Sequence, residues 1–294
     1  MELHWSRRVL LLGAMLSSAG CLGQSLPAPP NAEAPAAAIE ADSAATDTSQ
    51  CSAIAATDPG LDLVSKLCEF SLAYRHRLPD FIAQQTTTTH QQTSTNTITA
   101  QVTFRQGKEH YSKVTINGRP VASESLTSAL SKNVRFSSTG EFGSLLVDLF
   151  TSPGAAEFKF RKAASLRGVP VAIYDFHLPA EKNTFWTLQG TNKQILKPEF
   201  RGELWLEQQT GRPLREQLEP VNLPGSSGVA AIKTITDYAM TSVGDIGTFL
   251  LPVRSESQIC FWGLHIPCVT NVLVFHDYRK FAASTRILGA TSAP

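Results

Sequence analysis

The sequence has 294 residues, of which 42% are hydrophobic, and its 26 basic and 25 acidic residues give a formal net charge of +1. This hydrophobic content is sufficient for one large domain with a substantial core. A net charge so close to zero provides no long-range field that would collect nucleic acid or anionic lipid, so nucleic acid is excluded as an expected partner.

Residues 1–21 have the layout of a secretory signal peptide. Arg7 and Arg8 precede an uncharged apolar run at 9–19, and small residues follow that run. The run is too short to span a bilayer. The two arginines fit an ordinary signal peptide and also resemble a twin-arginine signal. The sequence therefore predicts an exported protein of the periplasm or outer membrane.

The end of this segment, Ser18-Ala19-Gly20-Cys21, resembles a bacterial lipobox, in which the cysteine is lipidated and becomes the new N-terminus. Ser18 stands where leucine is usual, and cleavage nearby by an ordinary signal peptidase, for instance after Ser25, is the alternative. Cys21 is therefore a lipidation candidate. Acylation there would provide the one expected link to a membrane.

Residues 22–57 are predicted to be a disordered tether. Between 26 and 50 the chain consists mainly of Ala, Pro, Ser and Thr, with acidic residues and no basic one. Such a composition cannot bury enough apolar area to offset the entropy of ordering it. The folded domain is predicted to extend over 58–285, with a tail at 286–294.

The four other cysteines are Cys51, Cys68, Cys260 and Cys268. They form an even set in an exported chain, where disulfides form and persist, and three pairings are open. A loop with glycine and proline between Cys260 and Cys268 favours that pair, because the flanking β-runs would bring the two cysteines close. Cys51 with Cys68 then follows by elimination. The spacing is too wide for a typical metal site, and no metal or cofactor is predicted.

Two helices are predicted from apolar spacing. Pro59 suits a first helical turn, and apolar residues then repeat at helical intervals until Leu78-Pro79 ends the run. A second helix is predicted over 142–150, after capping-box spacing at 138–141. This second helix would be an insert between two groups of strands.

The rest of the chain alternates at period two, which is typical of β-strands. Residues 200–221 form the clearest hairpin, with a turn at 209–212. Residues 97–105 and 249–258 are apolar on one face only, whereas 169–178 and 269–278 are apolar on both. Together these runs predict a mainly β chain with one curved antiparallel sheet. A strand that is apolar on both faces is covered on its second face by a helix, another sheet or a ligand.

Several segments resemble the periplasmic lipoprotein carriers and their relatives with a half-open barrel. The segments are 210–215, 237–238 and 249–252, which read TGRPLR, DY and FLLP. The segment LPDF at 78–81 is similar to uncharacterised exported bacterial proteins. The resemblance covers about 58–281 and implies a half-open barrel whose N-terminal helix and helical insert plug the concave side. It further implies an acyl chain or an acylated protein held in the concave face of the sheet.

No motif indicates an enzyme, because the HExxH, GxSxG, phosphate-loop and redox CxxC patterns are all missing. Aromatic side chains are the candidates for an apolar ligand groove, with packing in the core as the alternative. The sequence thus predicts a monomeric envelope binding protein for a lipid, an acylated protein or another apolar group. The alternative is a structural or interaction protein of the envelope with a self-filled core. The groove candidates are Tyr174, Phe176, Trp186, Trp205 and Phe275.

Overall fold

The computed structural model describes residues 5–7, 49–91, 93–121, 142, 144–151, 156–183, 186–189, 195–263 and 268–281. Cys21, the apolar run at 9–19 and the tail at 286–294 lie outside the described residues, as does most of the predicted tether. The signal peptide, the lipidation of Cys21 and the tail therefore stay predictions. Within the described part of the chain, no helix is both long enough and apolar enough to cross a membrane.

The described residues contain three α-helices, which are α1 Ser49–Thr57, α2 Asp62–Arg77 and α3 Ser144–Thr151. A 3₁₀ turn at Pro59–Leu61 joins α1 to α2. The carboxylate of Asp58 caps this turn by accepting a hydrogen bond of 2.8 Å from the Gly60 N–H. Helix α2 ends before Leu78, whose extended backbone is the conformation that a following proline favours.

Helix α1 corrects the predicted boundary of the tether, which was placed at residue 57. Cys51 is fully buried in α1 and forms a disulfide with Cys68 of α2, with a Cα–Cα distance of 5.5 Å. The side-chain amide of Gln50 also donates a hydrogen bond of 2.9 Å to the carbonyl of Phe150 in α3. The composition of this segment predicted a tether because composition does not show the contacts, made with residues distant in sequence, that hold α1.

Fourteen strands occur in the described residues: β1 Trp5–Arg7, β2 Phe81–Gln91, β3 Ser94–Arg105, β4 Lys108–Ile116, β5 Arg119–Pro120, β6 Glu157–Leu166, β7 Val169–Leu178, β8 Trp186–Gln189, β9 Ile195–Leu196, β10 Glu199–Glu207, β11 Pro213–Val221, β12 Val229–Ser242, β13 Thr248–Phe261 and β14 Cys268–Lys280. Eleven of them form one sheet in the order β5-β4-β3-β2-β14-β13-β12-β11-β10-β7-β6, and a small sheet has the order β1-β8-β9. Every paired strand is antiparallel to its neighbour. The large sheet does not close, so the predicted mainly β, half-open architecture is confirmed.

One side of the large sheet is buried against the helices, and we call this side the inner face. Alternate residues of β2 from Phe81 to Thr89 are buried, while the residues between them are partly exposed. The buried cluster joins Phe81, Leu204 and Leu206 of the sheet to Leu67 of α2 and Leu146 of α3. Both helices therefore pack on the inner face, which is the arrangement expected for a plug on the concave side.

The hairpin predicted over 200–221 is formed by β10 and β11. Its turn contains Gly211 at φ 73°, a backbone conformation that favours glycine. A Cβ atom on Gly211 would lie 3.1 Å from Cβ of Lys66, so the turn lies directly against α2. This close approach places the next residue, Arg212, beside the helix.

A second disulfide joins Cys260 of β13 to Cys268 of β14. The two cysteines face each other in the strand register, and their Cα atoms are 4.0 Å apart. In the chain-entropy model, closing so short a loop stabilises the fold by about 2–3 kcal/mol. Both disulfides have the pairing that the sequence favours.

Candidate functional site

Phe275 lies on the inner face inside a packed aromatic cluster. Its ring makes an edge contact with Phe142, with 4.9 Å between centroids, and Phe142 is 5.2 Å from Phe81. Phe81 in turn stacks on Phe104 at 5.1 Å. All four rings are at most 4% exposed. This end of the inner face is therefore filled by the protein's own side chains.

Phe176 and Tyr174 are buried at the other end of the sheet, in β7. The Phe176 ring contacts Phe158, and Phe158 stacks on Phe150 of α3 with 5.4 Å between centroids. The Tyr174 hydroxyl donates a hydrogen bond of 3.1 Å to the Gly60 carbonyl, and burial raises the pKa of its phenol. Both side chains thus have partners within the protein.

Trp205 lies on the outer face of the sheet. Leu204 and Leu206 on either side of it point to the inner face, so the alternation of the strand directs Trp205 outward. Arg215 lies over the indole ring at 5.7 Å, and the indole N–H donates a hydrogen bond of 3.0 Å to Glu203. The prediction that Trp205 lines an inner groove is wrong for this reason.

The groove candidates therefore do not come together in one place. Phe275 and Phe176 belong to separate aromatic clusters, and Trp205 lies on the opposite face. Trp186 lies in β8 of the small sheet, and its side chain is outside what the structure describes. Its role in a groove stays a prediction.

The middle of the inner face is polar. Adjacent strands place Thr234 opposite Ser257, Ser257 opposite Asn271 and Asn271 opposite Thr89. Hydrogen bonds connect Thr234 to Ser257 at 3.1 Å and Thr89 to Asn271 at 2.7 Å. Because these polar groups bond to one another across the strands, the hydrogen-bonding groups of the band are satisfied within the protein. Buried polar residues of the band are Thr87, Thr89, Glu216, Thr234, Thr236, Ser255, Ser257 and Asn271.

An apolar cavity of about 300 Å³ opens between the C-terminal half of α2 and the β12–β13 hairpin. This volume is at the lower end of the range of small-molecule sites, about 300–1,000 Å³. Met240 lines this cavity and is 47% exposed, so part of the apolar wall is open to solvent. The apolar walls are formed by Phe70, Tyr74, Leu78, Met240, Phe249 and Leu250.

Tyr74 fixes the distance between the two walls. Its hydroxyl donates a hydrogen bond of 2.5 Å to the carbonyl of Leu250 in β13, and burial strongly raises the pKa of the phenol. Its ring packs against Phe70 one helical turn earlier, with 5.1 Å between centroids. The helix is thus held to the strand at the back of the cavity, while the side at Met240 stays open.

Two cations, Arg77 at the end of α2 and Arg212 after the hairpin turn, also line the cavity. Arg212 donates from Nε to the Glu207 carboxylate at 2.9 Å. The Thr210 hydroxyl donates to the same carboxylate oxygen. Hydrogen bonds from Thr210 and Arg212 outweigh the effect of burial and lower the pKa of Glu207 below its usual value of 4.5. The Glu207 carboxylate thus positions Arg212 at the cavity.

This lowered pKa predicts a loss of stability in acid. Because the folded-state pKa lies below the unfolded one, Glu207 contributes stability above the unfolded pKa, and the contribution disappears as pH falls through the folded pKa. Unfolding midpoints in urea, measured for the wild type and Glu207→Gln between about pH 6 and pH 2.5, should differ most at the upper end and converge below about pH 4. A constant gap across this range would contradict the prediction.

A second cavity of about 420 Å³ lies at the ends of β6, β7 and β10 and has a mixed lining of aromatic and charged side chains. His177 Nε2 is 2.9 Å from Glu199. Burial alone would raise the pKa of Glu199, but hydrogen bonds from Asn222 and His177 outweigh it and the pKa is lowered. Among the described residues, no group of three or more His, Cys, Asp or Glu side chains could hold a metal ion. Around this cavity Arg201 and His177 lie within 3.2 Å of Glu199, and Asp175 lies 3.4 Å from Arg161.

Neither a family model nor a curated protein matches this sequence. The fold is similar to the crystal structure of a LolA superfamily protein from Nitrosomonas europaea, with 12% identity, TM-score 0.36, and coverage of 74% of this chain and 93% of that one. It is also similar to a DUF1329 family protein from Desulfovibrio piger, with 9% identity, TM-score 0.41, and coverage of 76% and 95%.

An outer membrane lipoprotein-sorting protein domain from Vibrio parahaemolyticus is similar at 10% identity and TM-score 0.36, with 72% of this chain and 89% of that one covered. At 9–12% identity the likeness concerns the fold, and what each of those proteins binds is a property of that protein.

Proposed function

We propose that this protein is a non-enzymatic binding protein of the cell envelope that holds one apolar group, such as an acyl chain, in the cavity between α2 and the β12–β13 hairpin. The observation that carries the proposal is the apolar wall of that cavity, open at Met240. The predicted signal peptide supports an envelope location.

Binding there would cover apolar surface that is exposed in the free protein. Each square ångström of apolar surface removed from water contributes about 25 cal/mol, less the cost of immobilising the ligand. The hydrogen bond from Tyr74 to Leu250 holds the walls in place beforehand, so little ordering of the protein accompanies binding. A single medium-length chain is the ligand that this volume favours.

A polar substitution inside the cavity should weaken binding without unfolding the protein. Met240→Asn is suitable because Met240 is 47% exposed, and the matched control is Val274→Asn, because Val274 is 39% exposed and does not line the cavity. Decan-1-ol, titrated calorimetrically, should bind Met240→Asn at least tenfold more weakly than the wild type, since an amide placed against the chain is poorly solvated.

Val274→Asn should bind decan-1-ol as the wild type does. Equal affinity in all three proteins would place the ligand outside this cavity. If the wild type binds neither decan-1-ol nor decanoate, the proposed function is overturned. Native mass spectrometry after gentle extraction adds a second readout, because a co-purifying lipid or acylated peptide would support the proposed binding function.

A structural or interaction protein is the second candidate function. The observation in its favour is the self-filled inner face, where Phe275, Phe142 and Phe81 pack together at one end. This hypothesis expects a ligand-free protein in native mass spectra and no affinity for either ten-carbon probe. The two functions are thus separated by the same measurements.

A further inference from the structure

The two arginines at the cavity have no acidic counterpart in its lining. Arg77 and Arg212 are the charged members of a set of described lining residues that is otherwise apolar, apart from the hydroxyls of Tyr74 and Thr248. The Tyr74 hydroxyl is committed to the Leu250 carbonyl. The cavity therefore combines apolar walls with two guanidinium groups, of which that of Arg212 is paired with Glu207 from outside the lining.

The position of Arg212 is determined by the fold and leaves part of its guanidinium available. Gly211 lies against Lys66 of α2, which sets the turn beside the helix, and Glu207 engages Nε and Nη2 of Arg212 at 2.9 Å and 2.7 Å. A guanidinium carries five N–H donors in a planar fork. Donors that Glu207 does not engage can therefore bind a second oxyanion without breaking the first pair.

Arg77 is the last residue of α2, and its side chain is exposed. A cation at a helix C-terminus is favourable in itself, because it lies near the negative end of the helix dipole. That role accounts for a basic residue at this end of the helix. It does not require the residue to line an apolar cavity whose lining includes a second arginine, as Arg77 does.

We infer that the ligand is an anionic amphiphile, whose chain lies against the apolar walls and whose carboxylate or phosphate group is bound by Arg77 and Arg212. The inference rests on the proposed function, because it identifies the ligand class for the same cavity. A guanidinium binds carboxylate and phosphate oxygens with short, charge-assisted hydrogen bonds. Since both arginines are partly open to solvent, the gain from the acid group is screened and moderate.

Decanoate and decan-1-ol are matched probes, because they have the same chain length and differ in the charge of the head group. We expect the wild type to bind decanoate about tenfold more tightly than decan-1-ol at neutral pH, with the preference decreasing as salt is added. Arg77→Gln and Arg212→Gln should each lose most of this preference while their affinity for decan-1-ol stays within twofold of the wild type.

Arg254→Gln is the control, because Arg254 has a similar exposure to Arg212, 41% against 37%, and is not part of the cavity lining. This control should keep the preference for decanoate. Equal binding of both probes by the wild type would overturn the inference and leave the proposed function intact. A preference that persists in both cavity variants would also overturn it. Binding of neither probe would overturn the proposed function as well as the inference.

Replacing the carboxylate by a phosphate separates the two head groups that this chemistry accepts. Decyl phosphate carries the same chain, so a tighter complex than that of decanoate would assign a phospholipid-like ligand, and a weaker one a fatty acid. Either result supports an anionic amphiphile. Displacement of decanoate by inorganic phosphate alone, with no effect of chain length, would contradict it.

Discussion

Gly202→Ala is expected to destabilise the protein by about 3 kcal/mol or more, which is at or beyond the upper end of the usual cost of overpacking. A Cβ atom at Gly202 would lie 2.1 Å from the backbone carbonyl oxygen of Gln217 and 2.4 Å from the ring of Phe176. Phe176 lies directly opposite Gly202 in the strand register. The ring covers the glycine, as aromatic side chains do over glycines in designed sheets.

The Gln217 contact makes the effect large. An aromatic ring can rotate or shift, but the carbonyl belongs to β11, which pairs with β10 at this point. Urea unfolding of the wild type and Gly202→Ala would measure the difference in free energy of unfolding. The control is Gly225→Ala, where a Cβ would meet no atom within 4 Å and the change should stay within about 1 kcal/mol. A similar small effect at Gly202 would show that the strands separate more easily than their register indicates.

Asp237→Ala should cost the fold roughly 2–3 kcal/mol, because it leaves two arginines without their shared carboxylate. Arg215 donates to both Asp237 oxygens, at 2.7 Å and 3.1 Å, and Arg167 donates to one of them at 2.6 Å. The hydrogen bond to Asp237 raises the pKa of Arg215. The Asp237 side chain is only 6% exposed, whereas the side chains of Arg215 and Arg167 are 27% and 54% exposed and regain water in the variant.

The matched control is Asp175→Ala on the same outer face. Asp175 is 48% exposed and lies 3.4 Å from Arg161, so its loss should cost less than about 1 kcal/mol. Asp237→Asn would keep the shape and remove the charge, and an intermediate loss in thermal unfolding is expected. A cost at Asp237 no larger than that at Asp175 would show that the buried carboxylate gains little from its two partners.

Local patterns were sufficient for most of the secondary structure. Period-two alternation predicted the β10–β11 hairpin, and helical spacing predicted α2 and its end at Leu78. Alternation also indicates that Trp205 points outward, because Leu204 and Leu206, which precede and follow it in the strand, are both buried on the inner face. A shared residue type therefore does not place aromatic side chains on one face of the sheet.

Other parts of the molecule depend on contacts that no local window contains. Helix α1 is held by the disulfide Cys51–Cys68 to α2 and by a hydrogen bond from Gln50 to Phe150 of α3. The candidate cavity joins Tyr74 to Leu250, which are 176 positions apart. Its aromatic members were predicted as ordinary helix or strand residues, because nothing in either segment shows that the other lies opposite.

The sequence by itself determined the types of most elements, the buried face of β3 and a disulfide pairing, because these follow from side-chain period, turn chemistry and loop length. In β13 the register with β12 shifts at Val253, and Phe249 and Val253 are only partly buried while Ser255 and Ser257 are buried. The tertiary structure decided which apolar surface remains uncovered. The rings of Phe275 and Phe176 are enclosed by other aromatic side chains, whereas Met240 remains exposed beside α2. Whether an apolar side chain stays exposed depends on which other segments pack over it, and those segments are distant in the chain.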